Sequence, residues 1–201
     1  MIAIIDYDAG NIRSIQKALE TLTTEVVVTR DKNIILSADK VVLPGVGAFG
    51  DVVNKIRDYD LEDTINKVVS SNKPFLSICI GLQLLFDESE EAPGTKGLSV
   101  FNGKIIKFPN EKGYKVPHMG WNKLTKTGEG KLLKGIEEGA YMYFVHSYYL
   151  KATDRSIVKA TTDYSVVFDA YVERDNIFAC QFHPEKSSDI GMKFLRNFVE
   201  L

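Results

Sequence analysis

The chain has 201 residues, 44% hydrophobic and 26% charged, the make-up of an ordinary globular protein with one well-buried core. Its 25 Lys and Arg against 27 Asp and Glu give a formal charge of −2, and no basic stripe stands out, which argues against nucleic acid as a partner. The opening Met1-Ile2-Ala3-Ile4-Ile5-Asp6 lacks the basic flank of a signal peptide, and no apolar run approaches the roughly 20 residues that span a bilayer, so a cytosolic protein without a membrane partner is expected.

The first 90 residues alternate short apolar runs with helical patterns. Ile2 to Ile5 is too short for a helix and suits a buried parallel strand. Ala9-Gly10-Asn11 is a turn signal, after which Ile12, Ile15, Leu19 and Leu22 recur at helical spacing. Val26 to Val28 and Val41 to Leu43 read as further strands, the second stopped by Pro44-Gly45. Helices are expected from Ala48 to Arg57 and from Leu61 to Ser71. A fourth buried strand follows at Pro74 to Ile78, and Leu82 to Phe86 opens another helix.

This order predicts an α/β fold: an open, mostly parallel twisted sheet with helices on both faces. The second half differs. Phe101 to Phe108, Tyr141 to Leu150, Ser156 to Thr161 and Val166 to Val172 look like strands. Glu173 to Asn176 makes a hairpin connection into Ile177 to Phe182, and Asp189 to Leu201 closes the chain as a helix. An antiparallel extension of the sheet after residue 97 fits, within one domain spanning residues 1–201. The most loop-like stretches are Glu90 to Gly97 and Asn110 to Pro117.

The two cysteines, Cys79 and Cys180, are expected to be free thiols in a reducing compartment. Cys79 stands directly after an apolar strand and before a helix, flanked two positions away by the small Ser77 and Gly81. That is the pattern of a nucleophile elbow, with a thiol in place of the usual hydroxyl and a helix N-terminus to stabilise the thiolate. Cys180 lies in a strand-like run with no turn after it and reads as core packing.

A reactive thiol needs a base, and the base needs a group to hold its ring. Of His118, His146 and His183, only His183 has a carboxylate so placed, at Glu185 across Pro184. Pro184 biases His183 towards extended backbone, in which residues two apart point the same way. His146, in an aromatic-rich strand, reads as a core or pocket-wall residue; His118 is ambiguous. The histidines lack paired-ligand spacing, so no metal and no cofactor are expected.

Three motifs now stand together: Cys79-Ile80-Gly81-Leu82-Gln83, His183-Pro184-Glu185 and Pro44-Gly45-Val46-Gly47. The set resembles the class I glutamine amidotransferases. With Asp6 to Asn11, Glu90 to Gly94, Pro117 to Asn122, Tyr143 to Tyr148 and Gln181 to Ser187 it covers essentially the whole chain. More narrowly, it resembles the glutaminase subunits of imidazole glycerol phosphate synthases in histidine biosynthesis. The class usually carries glycine where Ser77 and Asp8 stand.

The resemblance implies a glutaminase that attacks L-glutamine through Cys79, with His183 as base and Glu185 as its orienter. It implies oxyanion donors at Ile80 and within Gly45, Val46 and Gly47, with the Val46 N–H as the mobile one. Gly47, Gln83, Glu91, Ser147 and Tyr148 would hold glutamine, Glu91 taking its ammonium. A TIM-barrel cyclase subunit would be the heterodimer partner that consumes the ammonia, with Asn11, Trp121, Tyr143 and Lys186 as candidates for the docking face. Competing readings are a paralogous glutaminase feeding another synthase, such as one for sugar amidation, a catalytically silent binding subunit, a free-standing cysteine hydrolase, or a flavodoxin-like nucleotide binder. The last lacks the G-x-x-x-x-G-K-[ST] spacing of a phosphate loop.

Overall fold

A computed structural model describes residues 1–8 and 10–201. Ala9, part of the expected turn at 9–11, lies outside the described residues. The first half comprises β1 (Ile2–Ile5), α1 (Ile12–Glu20), β2 (Val26–Thr29), α2 (Lys32–Ser37), β3 (Lys40–Leu43), α3 (Phe49–Asp58), α4 (Glu62–Ser70), β4 (Phe75–Ile78) and α5 (Ile80–Leu84). Then come β5 (Glu88–Ser89), β6 (Gly103–Lys107), β7 (His118–Lys123), β8 (Thr125–Lys126), β9 (Tyr141–His146) and β10 (Tyr148–Ala152). The chain ends with β11 (Val158–Tyr164), β12 (Val166–Arg174), β13 (Ile177–Cys180) and α6 (Ser188–Val199).

The described residues form an eleven-stranded sheet and a two-stranded one. Along the main sheet the order is β2-β1-β3-β4-β13-β12-β10-β6-β5, with β11 against β12 and β8 against β11. From β2 to β13 every pairing is parallel; β12, β10, β6 and β11 then pair antiparallel, and the short edge strand β5 pairs parallel with β6. This is the expected α/β sheet with an antiparallel extension.

The apolar runs are continuous because both faces of the sheet are covered. In β1, Ala3 and Ile5 join a cluster with α2, α3 and α4, while Ile2 and Ile4 face the opposite cluster with α1 and α6. In that second cluster α6 contributes Phe194, Leu195 and Phe198, all 0% exposed, and each such side chain stabilises the fold by roughly 1.5–3 kcal/mol.

Several elements depart from expectation. Helix α5 begins at Ile80, two residues earlier than expected, so the turn at Cys79 is tighter. The run Tyr141 to Leu150 breaks at Ser147 into β9, which pairs with β7, and β10, which belongs to the main sheet. Residues Arg155–Ile157 form a 3-10 turn before β11 rather than strand. The hairpin between β12 and β13 closes at Arg174 and Ile177 around Asp175 and Asn176 alone, with Asp175 at φ 56°.

Candidate functional site

Strand β4 ends at Ile78, and the backbone N–H of Cys79 still completes the ladder by donating to the Cys180 carbonyl at 2.8 Å. The chain then turns at Cys79 with φ 57° and ψ −110°, a conformation that costs a non-glycine residue about 1–3 kcal/mol. It is held there because α5 packs hard against the sheet. A Cβ on Gly81 would lie 2.4 Å from the Leu43 carbonyl oxygen, so only glycine allows the helix to sit so close. The Ile80 N–H, at the first turn of α5, is one of the donors a helix start leaves without an intrahelical partner.

Beyond β13, His183 and Glu185 flank Pro184, and both side chains are 1% exposed. His183 Nδ1 lies 2.9 Å from Glu185 Oε1, which also accepts from Asn11 Nδ2 at 2.6 Å. His183 Nε2 is buried and makes no hydrogen bond among the described residues, as is Glu185 Oε2. Burial pushes the imidazolium down, but the charges of the neighbouring Cys79 thiolate and Glu185 carboxylate outweigh it and raise His183 to about 10. The ring nitrogen that Glu185 leaves free is the one available to a neighbouring group.

Cys79 Sγ opens onto a cavity of about 300 Å³. Its walls bring together most residues expected to meet glutamine or its oxyanion: Val46, Gly47, Ile80, Gln83, Glu91, Ser147 and Tyr148. Gly45 is not among them; it is wedged beneath, where a Cβ would lie 1.9 Å from Tyr7 Oη and 2.4 Å from Ile80 Cγ2. Glu91 Oε2 accepts the Phe49 N–H at the start of α3 at 2.8 Å. Gln83 Nε2 is shared between the Tyr148 carbonyl at 3.1 Å and Gln181 Oε1 at 3.0 Å, so Gln83 braces the wall. A larger groove of about 820 Å³ near Leu133 and Leu201 holds none of these groups.

Sequence reasoning missed two cavity residues, Pro117 and Val145, while His146, read there as a core or pocket-wall residue, does line the cavity. It also missed Gln181, whose Nε2 donates to Cys79 Sγ at 3.7 Å. His146 and His118 form a buried pair, 3.1 Å between ring nitrogens, and burial pushes them down to about 3 and about 4. Both are neutral at ordinary pH. Among the described residues no group of three or more His, Cys, Asp and Glu could hold a metal ion.

The docking candidates do not all sit alike. Trp121 is 50% exposed and packs edge-on against Tyr143, and Lys186 Nζ lies 6.0 Å from the Tyr143 ring centroid, so these three make one patch. Met119 and Tyr141 extend it along β7 and β9, 62% and 49% exposed. Asn11, instead, spends its amide on Glu185, behind the histidine. No helix among the described residues is long and apolar enough to cross a membrane.

Comparison with known proteins identifies the family. The family model for class-I glutamine amidotransferase matches residues 3–201. The chain is 50% identical to imidazole glycerol phosphate synthase subunit HisH 1 of Methanococcus maripaludis over 205 residues, covering 100% of both chains. It is 48% identical to subunit HisH of Methanocaldococcus jannaschii, again over 100% of both. Among solved structures, a glutamine amidotransferase aligns with a TM-score of 0.77 at 20% identity over 100% of this chain and 98% of that one. PurLQS from Thermotoga maritima aligns with a TM-score of 0.72 at 19% identity over 99% and 97%. Those two likenesses are of fold alone, but the family match runs nearly end to end and takes in the elbow and the His-Pro-Glu segment alike. The chain belongs to the class I glutamine amidotransferases.

Proposed function

We propose that this chain is the glutaminase subunit of an imidazole glycerol phosphate synthase, with Cys79, His183 and Glu185 as its catalytic triad. The observation that carries the reading is the strained Cys79 at the wall of one cavity with the His183–Glu185 pair beside it. Cys79 Sγ attacks the side-chain carbonyl carbon of L-glutamine while His183 takes the thiol proton. The tetrahedral intermediate collapses as His183 returns that proton to the departing ammonia, leaving a glutamyl thioester that water hydrolyses to glutamate. Glu185 holds the ring and stabilises its charged form.

The developing oxyanion takes the Ile80 N–H and one N–H from the Pro44-Gly45-Val46-Gly47 strand, a pair worth a few kcal/mol. Val46 supplies the second donor by reorientation, which Gly47 at φ +133° favours because only glycine rests easily there. Glu91 keeps one carboxylate oxygen for the substrate ammonium. Ser147, Tyr148 and Gly47 shape the rest of the pocket.

Ammonia has value only if an acceptor site receives it, and the exposed Met119–Trp121–Tyr141 patch beside Lys186 supports a docked TIM-barrel cyclase in a heterodimer. The loop of Gly10 and Asn11 lies against the candidate triad: a Cβ on Gly10 would fall 2.7 Å from Val46 Cγ2, and Asn11 donates to Glu185. The chain acts as one domain over residues 1–201, in the cytoplasm, where both thiols stay reduced. The test is to add a purified cyclase subunit and measure glutamate release. A 1:1 complex with stimulation of about tenfold or more is expected. Stimulation by a sugar-amidating synthase but none by the cyclase overturns the partner assignment.

A further inference from the structure

We propose that Gln181 is a positioning residue for the nucleophile, its side-chain N–H stabilising the Cys79 sulfur as thiolate. The inference rests on the reading of Cys79 as the nucleophile and adds a donor that neither the motifs nor the family assignment provides.

The direction of the amide is fixed by its neighbours rather than chosen. Gln83 Nε2 faces the Tyr148 carbonyl oxygen at 3.1 Å, and a carbonyl can only accept. Gln83 therefore presents an N–H to Gln181 as well, so the Gln181 atom 3.0 Å away is its oxygen. With Oε1 committed, the other end of the amide is NH2, and that end lies 3.7 Å from Cys79 Sγ. Gln181 is 0% exposed, so bulk solvent does not reach either end.

The same carbonyl ties the amide pair to the buried histidines. His146 Nδ1 lies 2.8 Å from the Tyr148 oxygen and must donate, which leaves its Nε2 to accept from His118 Nδ1 at 3.1 Å. His118 Nε2 then accepts from Asn122 Nδ2 at 3.3 Å, and that nitrogen also donates to the Asp163 carbonyl at 2.9 Å. The Tyr148 carbonyl thus accepts from both sides: one run of donors, from Asn122 through His118 and His146, ends on it, and a second starts at Gln83 and passes through Gln181 to the cysteine. Burial keeps both imidazoles neutral, so the histidine run keeps its sense as pH falls through the usual histidine range, and the Gln83–Gln181 run keeps its own.

A neutral N–H donor favours the anion over the thiol without contributing a charge that would compete with His183 for its proton. The experiment is iodoacetamide alkylation of Cys79 in the full chain across pH. Gln181→Met keeps the volume and removes the donor. Its alkylation at neutral pH is expected to slow about tenfold, with the rate–pH curve moved to higher pH by about one unit. An unchanged curve overturns the inference. Should that variant fail to fold, the unsubstituted chain gives the answer by NMR. One glutamine side-chain NH2 resonance is expected to follow Cys79 ionisation and to stop doing so in Cys79→Ser; no such resonance overturns the proposal. Hydrolysis of glutamine by Cys79→Ala would instead defeat the nucleophile reading itself, a different outcome from either.

Discussion

Strands β4 and β13 lie side by side and parallel, and a cysteine stands at the carboxyl end of each. Cys180 is the last residue of β13, paired in register with Ile78. Cys79 is the first residue beyond β4, bonded through its N–H to the Cys180 carbonyl. Cys180 keeps strand geometry, is 0% exposed and donates its S–H to the Phe182 carbonyl at 3.4 Å. Burial, with Glu185 and Cys79 adding to it, pushes that thiol well above its ordinary range. Cys79 leaves the strand at positive φ and opens on the cavity. One position of chain, with the backbone strain it carries, separates a packed thiol from one that lines a cavity.

The comparison breaks if the two sulfurs prove interchangeable. Cys79→Ala is expected to lower glutamate release by about 10³-fold or more. Cys180→Ala is expected to keep the rate within about twofold and to lose roughly 1–2 kcal/mol of stability for its small cavity. Paired rate and denaturant measurements on both variants check this. Comparable activity losses would mean that the elbow does not select the nucleophile.

The comparison sharpens at Gly81, because the strain at Cys79 depends on α5 lying tight against β3. Gly81→Ala forces a methyl to within 2.4 Å of the Leu43 carbonyl, and backbone has nowhere to yield. A loss of about 2–3 kcal/mol is expected, in the range of overpacked cores. Activity should fall further than stability predicts, since the turn must open. A variant as stable and active as the parent would show that the close approach does not hold the elbow.

The elbow was legible in the sequence because a short, mostly apolar run, a cysteine and a glycine fall at fixed spacing, and strands buried on both faces advertise themselves by composition. The His183–Glu185 pair was legible because Pro184 constrains its neighbour. Helix α2 was not, since six residues with one buried side chain, Ile35, show no 3.6 period; its one local sign was Asp31, which caps it by accepting from Asn33 N and Ile34 N. Strand β7 reads His-Met-Gly-Trp-Asn-Lys, without apolar alternation and with a central glycine, so pairing with β9 makes it a strand. Asn11 was placed on the docking face by resemblance, and its bond to Glu185, 174 positions away, has no local signature. Gln181 is the same kind of case, a polar residue just past an apolar strand whose partners come from α5 and the elbow.

The smallest effect tests the comparison one register step earlier, where β4 carries Ser77 opposite Ala179 of β13. Both are 0% exposed, but the Ser77 hydroxyl is buried with no hydrogen-bond partner among the described residues. Burying such a group costs about 1–3 kcal/mol, whereas the methyl of alanine at the same Cβ costs nothing comparable. Ser77→Ala should therefore make β4 resemble β13 at this step and raise stability by about 1 kcal/mol, or roughly 2–4 °C in Tm for a chain of this size. Activity should stay within about twofold, because the Cβ that packs near Gly81 is retained. A lower Tm would mean that the hydroxyl is satisfied after all, and that the elbow rests on a polar contact of β4 with no counterpart in β13.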